Sequence, residues 1–290
     1  MKRKICIVIH NRANYGRIKT VMQAIKDHPD LELQLLVGSS ALLSRFGSVI
    51  DIIREDNFKE DAIVHSSLEG ETPTTMAKST GVAIIELATH FENLKPDIVL
   101  TVADRFETLS TAVAASYMNI ALAHSQGGEI TGSIDESVRH AVSKLAHIHF
   151  PATERAKNYL LRMGEKEESV HLTGCPAIDL ITQSDLALPE DLFERVSGVG
   201  DDLTTKKDYI IVLQHPVTSE YGGGYKQIQE TLNAAHEVSK TGMQIVWLWP
   251  NIDAGSDSIS KGIRTFREEK NAKNMHFFIN FTPEDYILLL

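Results

Sequence analysis

Long apolar runs are missing from this 290-residue sequence, as are most motifs that announce a particular chemistry. No stretch approaches the roughly 18–20 apolar residues of a membrane span. The start, Met-Lys-Arg-Lys followed by ICIVI, has the charge of a signal peptide, but its apolar run is too short and no cleavage site follows. Cysteine is scarce: Cys6 falls in a predicted strand and Cys175 lies far away, which points to two buried thiols and not a disulfide. There is no CxxC or HExxH, and His140, His147 and His149 lack ligand spacing, so zinc is not expected. A GxGxxG dinucleotide fingerprint and a G-x-S-x-G elbow are absent too. Long basic blocks are lacking and the formal net charge is −10, which argues against nucleic acid or an anionic membrane as principal partner. Local arginines can still hold a phosphate.

What is present is globular material, 42% hydrophobic and 23% charged, long enough for two domains. Short β-branched runs alternate with amphipathic stretches. KICIVI (4–9), LELQLLV (31–37), DIVLTVA (97–103), IALAHS (120–125), IHFPA (148–152) and SVHLTG (169–174) read as buried strands. Helix patterns lie near 15–26, 75–94, 106–117, 135–146 and 154–163. Such alternation predicts a parallel sheet covered on both faces. After an acidic, irregular stretch ending near 207 it restarts, with strands at 209–215, 244–250 and 275–280 and helices within 225–240 and 258–269. The expectation is a soluble, cytoplasmic α/β protein with domains at 1–180 and 181–290. A last helical pattern, 283–290, stops on three leucines, and three strands make a meagre sheet. The second domain is therefore expected to be incomplete and the chain a fragment.

Ligands of open α/β sheets bind beyond the carboxyl ends of the strands, so polar residues there carry the functional weight. The first strand is followed by HNRANYGR, where Arg12 and Arg17 flank a turn into a helix, a plausible oxyanion seat or a solvated turn. Asp104 and Arg105 follow the strand at 97–103; the aspartate reads as a helix cap or a site acid. The densest stretch is HSQGGEITGSIDESVRHAVSKLAHIHF (124–150), with three carboxylates and four histidines. Its Gly127-Gly128 permits close backbone approach to a ligand. In the helix that follows, Ile134, Val138, Ala141, Val142 and Leu145 form the apolar face, with Asp135, Arg139, His140 and Lys144 opposite. His140, Lys144 and His147 read as surface; Glu129, Asp135 and Arg139 sit nearer the strand end and read as functional. In the second half, His215 precedes a glycine-rich turn, and Asn251 and Asp253 follow the next strand. Acids, a histidine and several arginines, without a redox or metal motif, suit proton transfer on an anionic, phosphorylated substrate.

Several segments carry a family likeness: Arg12–Tyr15, LKPDIVLTVADRFE, GGEITGSIDESVRHAVSKLAHIHF, LTGCPAIDL, LQHPVT and PNIDAGS. Through them essentially the whole chain resembles the hydrolysing UDP-N-acetylglucosamine 2-epimerases of sialic-acid-type sugar synthesis. The resemblance implies two Rossmann-like domains in a GT-B-type arrangement around a nucleotide-sugar cleft. It implies loss of the C2 proton and of UDP to give a 2-acetamidoglucal, then hydration to free N-acetylmannosamine. No cofactor or metal is implied, and a homo-oligomer is. By position, Arg12 and Arg105 bind the nucleotide or its phosphates, and Arg17 contacts the leaving diphosphate. Asp104 matches a catalytic carboxylate and Asp135 a further acid. His215 matches a histidine of the second domain, and Asn251 a sugar- or nucleotide-contacting amide. His124, Gln126 and Arg139 are expected on the substrate side, with Glu129 in acid–base chemistry.

Three departures stand out. Asn14 replaces an acid common in relatives, and Gln126 stands where H-x-E-G-G-E places a catalytic glutamate. An amide cannot serve as a base, so Glu129, Asp104 or His215 must carry that step, or the chain is impaired. A Gly-Asn-Ser-Ser-type loop for the diphosphate is the third, absent from these residues, so weak binding and turnover are expected of this chain by itself. The rival readings are the same reaction on UDP-2,4-diacetamido-2,4,6-trideoxyglucose, a GT-B glycosyltransferase, and a silent nucleotide-sugar binder.

Overall fold

The computed structural model describes residues 2–183 and 185–290; Ser184, inside the stretch expected to join the domains, lies outside them. By its internal contacts the chain divides into two compact units, one of residues 1–43, 48–69 and 74–183, the other of 44–47, 70–73 and 184–290. Two short segments of the N-terminal half thus fold with the second unit, which no sequence pattern foreshadows.

The first unit alternates as its periodicity predicts: β1 (Arg3–Ile9), α1 (Arg12–Asp27), β2 (Leu31–Gly38), α2 (Val49–Glu55), β3 (Ala62–Val64), α3 (Pro73–Leu94), β4 (Ile98–Val102), α4 (Phe106–Tyr117), β5 (Ala121–Ser125), α5 (Ile134–Leu145), β6 (Ile148–Phe150), α6 (Glu154–Arg162) and α7 (Pro176–Gln183). Six parallel strands form one sheet in the order β3-β2-β1-β4-β5-β6. Alternation along β1 fills both faces. Ile5, Ile7 and Ile9 pack with Tyr15, Ile18 and Met22 of α1, while Cys6 and Val8 pack with Leu87 and Phe91 of α3. The chain winds outward from β1 to β3, returns to β4 and winds the other way. That reversal opens a crevice at the carboxyl ends of β1 and β4.

The run at 169–174 is not a strand. It makes a single bridge, Val170 to His149, because a 3₁₀ turn (Glu167–Ser169) precedes it and Gly174, at φ +83°, bends the chain away. Cys6 is buried and Cys175 half-buried, and both are free; burial pushes the Cys6 thiol well above its ordinary range.

The second unit holds α8 (Leu192–Arg195), β7 (Gly198–Gly200), β8 (Tyr209–Leu213), α9 (Gly224–Ser239), β9 (Gln244–Leu248), α10 (Ser256–Glu269), β10 (Met275–Phe278) and α11 (Pro283–Leu289). Its sheet has the order β7-β10-β9-β8, three strands parallel and β7 antiparallel at one edge. Trp247 and Phe277 fill one face; Val246, Leu248, Phe278 and Phe193 fill the other. Leu289 joins this second core at 3% exposure and only Leu290, at 78%, stands in solvent, so the terminal leucines are not an exposed apolar end. Glu71 belongs to this unit. Its carboxylate accepts from the Ser256 hydroxyl at 2.6 Å and pairs with Arg45 at 3.0 Å, seating a negative charge at the start of α10.

Candidate active site

The crevice of the first unit is assembled from four strand ends. His10, Asn11 and Arg12 follow β1, Ser39 and Ser40 follow β2, Ala103–Arg105 follow β4, and Gln126–Glu129 follow β5. The turn into α1 is locally encoded. Asn11 caps the helix by accepting from the Asn14 N–H at 2.9 Å, and the Asn14 side-chain oxygen accepts from the His10 N–H at 3.2 Å. Arg12 is the first helical residue and half-buried; Arg17 is exposed on α1. The Asn14 amide also donates to the Val102 carbonyl at 3.5 Å, tying the β1 and β4 ends together.

Ala103 adopts a left-handed conformation, φ +63°, uncommon for a residue with a Cβ. It is held there by its own N–H on the Ser125 carbonyl at 3.1 Å and by His124, which is fully buried. The His124 Nε2 lies 2.8 Å from the Ala103 carbonyl, so Nε2 carries the proton and donates, and Nδ1 accepts from the Ser143 hydroxyl at 3.1 Å. Burial pushes the His124 imidazole down to about 4, against the pull of that carbonyl. With both ring nitrogens engaged inside the protein, His124 shapes the turn that presents Asp104 and offers no nitrogen to a ligand. His10, whose Nε2 meets the Thr111 hydroxyl at 2.9 Å, is pushed down to about 3 by burial and by the charge of Arg105.

Arg139 organises the centre. Placed by the sequence on the polar side of α5, it is 2% exposed, while Ile134, assigned to the apolar side, is 52% exposed. The reason is the face that α5 buries: Arg139, Val142 and Ser143, one turn apart, point inward together. The Arg139 guanidinium pairs with the Asp104 carboxylate, donates to the Glu129 carbonyl at 2.6 Å and to the Thr131 hydroxyl at 3.3 Å. Glu136, unremarked in the sequence, accepts from the Thr131 and Gly132 N–H groups at 2.7 Å each, which holds its carboxyl below the usual range and fixes the loop above Arg139. Asp135 is half-buried in the first turn of α5, its N–H on the Ser133 hydroxyl at 3.2 Å.

Gln126 is buried in a left-handed conformation, φ +64°, and its amide donates to the Cys175 sulfur at 3.2 Å. The glycines beside it make room for the protein's own packing. A Cβ on Gly127 would stand 2.7 Å from the Ser143 hydroxyl, and one on Gly128, at φ +83°, 2.3 Å from the Ala156 carbonyl. Arg105 is buried and pairs with Glu107, 2% exposed, at 3.2 Å. His10, Glu107 and Ser143 carry no site assignment from the sequence, and Cys175 reads there only as a thiol too distant from Cys6 to pair. Only the acid two residues after Arg105 left a visible signal.

The structure thus brings Asp104, Arg139 and the Glu129 backbone together, with His124 beneath them. His215 and Asn251 belong to the second unit, where the Asn251 N–H donates to His215 Nδ1 at 3.3 Å. Among the described residues no group of three or more His, Cys, Asp or Glu side chains could hold a metal ion. No helix among them is long and apolar enough to cross a membrane.

The likenesses to known proteins agree with one another. A family model described as UDP-N-acetylglucosamine 2-epimerase matches residues 23–290. The hydrolysing UDP-N,N'-diacetylbacillosamine 2-epimerase of Legionella pneumophila is 35% identical over 273 residues, covering 94% of this chain and 70% of that protein. The UDP-N-acetylglucosamine 2-epimerase of Neisseria meningitidis is 30% identical over 270 residues, 93% of this chain and 68% of that protein. A solved structure of UDP-GlcNAc 2-epimerase from Neisseria meningitidis, bound to UDP-GlcNAc, shares the fold with a TM-score of 0.73 at 18% identity, covering 98% of this chain and 75% of that one.

Proposed function

The chain belongs to the UDP-N-acetylglucosamine 2-epimerase family, and on that premise we propose that it works in the hydrolysing mode, turning UDP-GlcNAc into free N-acetylmannosamine and UDP. A carboxylate takes the C2 proton, the C–H electrons become the C1–C2 double bond, and the C1–oxygen bond to UDP breaks. Water then adds its hydroxyl to C1, and C2 is protonated on the opposite face. Inversion needs acid–base groups on both faces of the sugar.

The observation that carries this reading is Arg139, one buried guanidinium holding the Asp104 carboxylate and the Glu129 backbone at once. We assign the Asp104 carboxylate and the side chain of Glu129, whose backbone Arg139 anchors, to the two faces. Gln126 cannot accept a proton, and Glu129 is the carboxylate next along the same loop, so it takes the C2 proton. The family resemblance assigns Asp135 and His215 to further acid–base work, Arg12, Arg17 and Arg105 to the nucleotide or its phosphates, and Asn251 to the sugar or the nucleotide. Neutral, fully engaged His124 is a positioning residue in this scheme.

A second reading changes only the sugar. The Legionella relative named above supports UDP-N,N'-diacetylbacillosamine, the 2,4-diacetamido-2,4,6-trideoxy sugar nucleotide. Incubation with each sugar nucleotide separately, with the products resolved by chromatography, tests both. Free 2-epimer plus UDP from either one supports the hydrolysing reading, and the ratio of kcat/KM names the sugar. Accumulation of a UDP-linked 2-epimer instead would place the chain in the non-hydrolysing branch.

A further inference from the structure

Glu107 is a buried carboxylate that the proposed chemistry does not use. It sits in the first turn of α4, where its Oε2 accepts from the Arg105 Nε at 3.2 Å. Its Oε1 accepts from the Ser39 hydroxyl at 3.4 Å, and the Ser67 hydroxyl donates to Ser39 at 3.2 Å. Ser39 is held in the left-handed region, φ +51°, so the backbone after β2 is bent to bring its hydroxyl to Glu107. The chain Ser67–Ser39–Glu107–Arg105 therefore links the loops after β3, β2 and β4 through buried or half-buried polar groups.

A carboxylate removed from water is costly unless paired and hydrogen-bonded, and an apolar residue of its size would fill the same volume. What the carboxylate adds is direction. The guanidinium is a rigid planar fork, so fixing its Nε edge fixes where the rest of the plane points. Phe106, with its ring centroid 5.7 Å from the Arg105 guanidinium carbon, backs that orientation.

We propose that Glu107 is a positioning residue that aims Arg105 at the diphosphate of the nucleotide sugar, with Ser39 and Ser67 holding Glu107 in place. This rests on the reading of Arg105 as a diphosphate contact. The test is a double-mutant cycle on UDP affinity by titration calorimetry, with Glu107→Gln, Arg105→Ala and both together. Glu107→Gln is expected to raise the Kd for UDP about tenfold, and the KM of the sugar nucleotide with it, while kcat changes less than about threefold. In the Arg105→Ala background the same change is expected to alter Kd less than about twofold. Equal weakening in both backgrounds, or none in the native one, overturns the proposal. An Arg105→Ala variant that binds UDP as tightly as the native protein overturns the underlying assignment of Arg105 as well, so the two failures are distinguishable. If Glu107→Gln does not fold, Ser39→Ala runs the same cycle with a smaller expected effect and the same criterion. Glu107→Asp, which keeps the charge, is expected to recover part of the affinity.

Discussion

At the scale of single residues, a few side chains set up the chemistry by being fully committed to one another. Arg139 is the clearest case. Removing it leaves Asp104 without its cation and frees the Glu129 carbonyl, so Arg139→Ala is expected to cost about 3–5 kcal/mol of stability, read as a lower urea midpoint. Asp104→Asn and Glu129→Gln keep shape and are expected to lower kcat about 10²–10⁴-fold each. A Glu129→Gln enzyme with native kcat would remove Glu129 from the base role. The buried histidines give a pH signature. His10 and His124 are held near 3 and 4 in the fold against 6.5 when exposed, so the unfolded chain binds more protons between those limits. Their contribution to stability is whole above pH 6.5 and is lost as pH falls, at up to about 1.4 kcal/mol per pH unit for each histidine. Urea midpoints measured from pH 6.5 down to 5, a window in which most carboxylates stay ionised, are expected to fall steadily; a flat profile would contradict the assignment. Asp104, Arg105 and Arg12 drew attention in the sequence because they follow a strand or open a helix, whereas the burial of Arg139 was not visible there. His124 and Glu107 were not legible in their roles, since burial and partner identity are properties of the packed sheet.

Elements were legible where side-chain periodicity is strong. The five helices read in the first 163 residues, the two read within 225–240 and 258–269 and the last pattern at 283–290 all formed, as did most of the strands read before them. Short elements escaped. β7 is Gly-Val-Gly and has too few side chains to alternate, α8 is a single turn, β3 is three residues long, and α2 and α7, of seven and eight residues, were not read either. The opposite error, a strand expected at 169–174, came from an apolar pattern that a turn and a left-handed glycine limit to a single bridge. The β5–α5 connection shows why the glycine pair had to be seen in place: its glycines make room for Ser143, His124 and the Ala156 carbonyl. Gly128→Ala is therefore expected to destabilise by at least about 2 kcal/mol, since the new methyl meets backbone and the residue keeps a positive φ. A variant with a native urea midpoint would show that the connection relaxes freely.

For the molecule as a whole, composition bounded the class, and alternation indicated α/β units with a parallel sheet. The reversal of strand order between β1 and β4 then located the crevice. The clustering of residues 44–47 and 70–73 with the second unit was hidden, because it depends on where two loops are carried and not on their composition. On the proposed function, the chemistry at this crevice passes through loss of the C2 proton and release of UDP. Proton NMR of the protein with UDP-GlcNAc, and separately with UDP-N,N'-diacetylbacillosamine, in D2O tests it most directly. The expected product is free 2-epimeric sugar carrying deuterium at C2, formed together with UDP from one of the two. Free sugar that retains its C2 proton, or UDP bound with no exchange at C2 in either substrate, would contradict it.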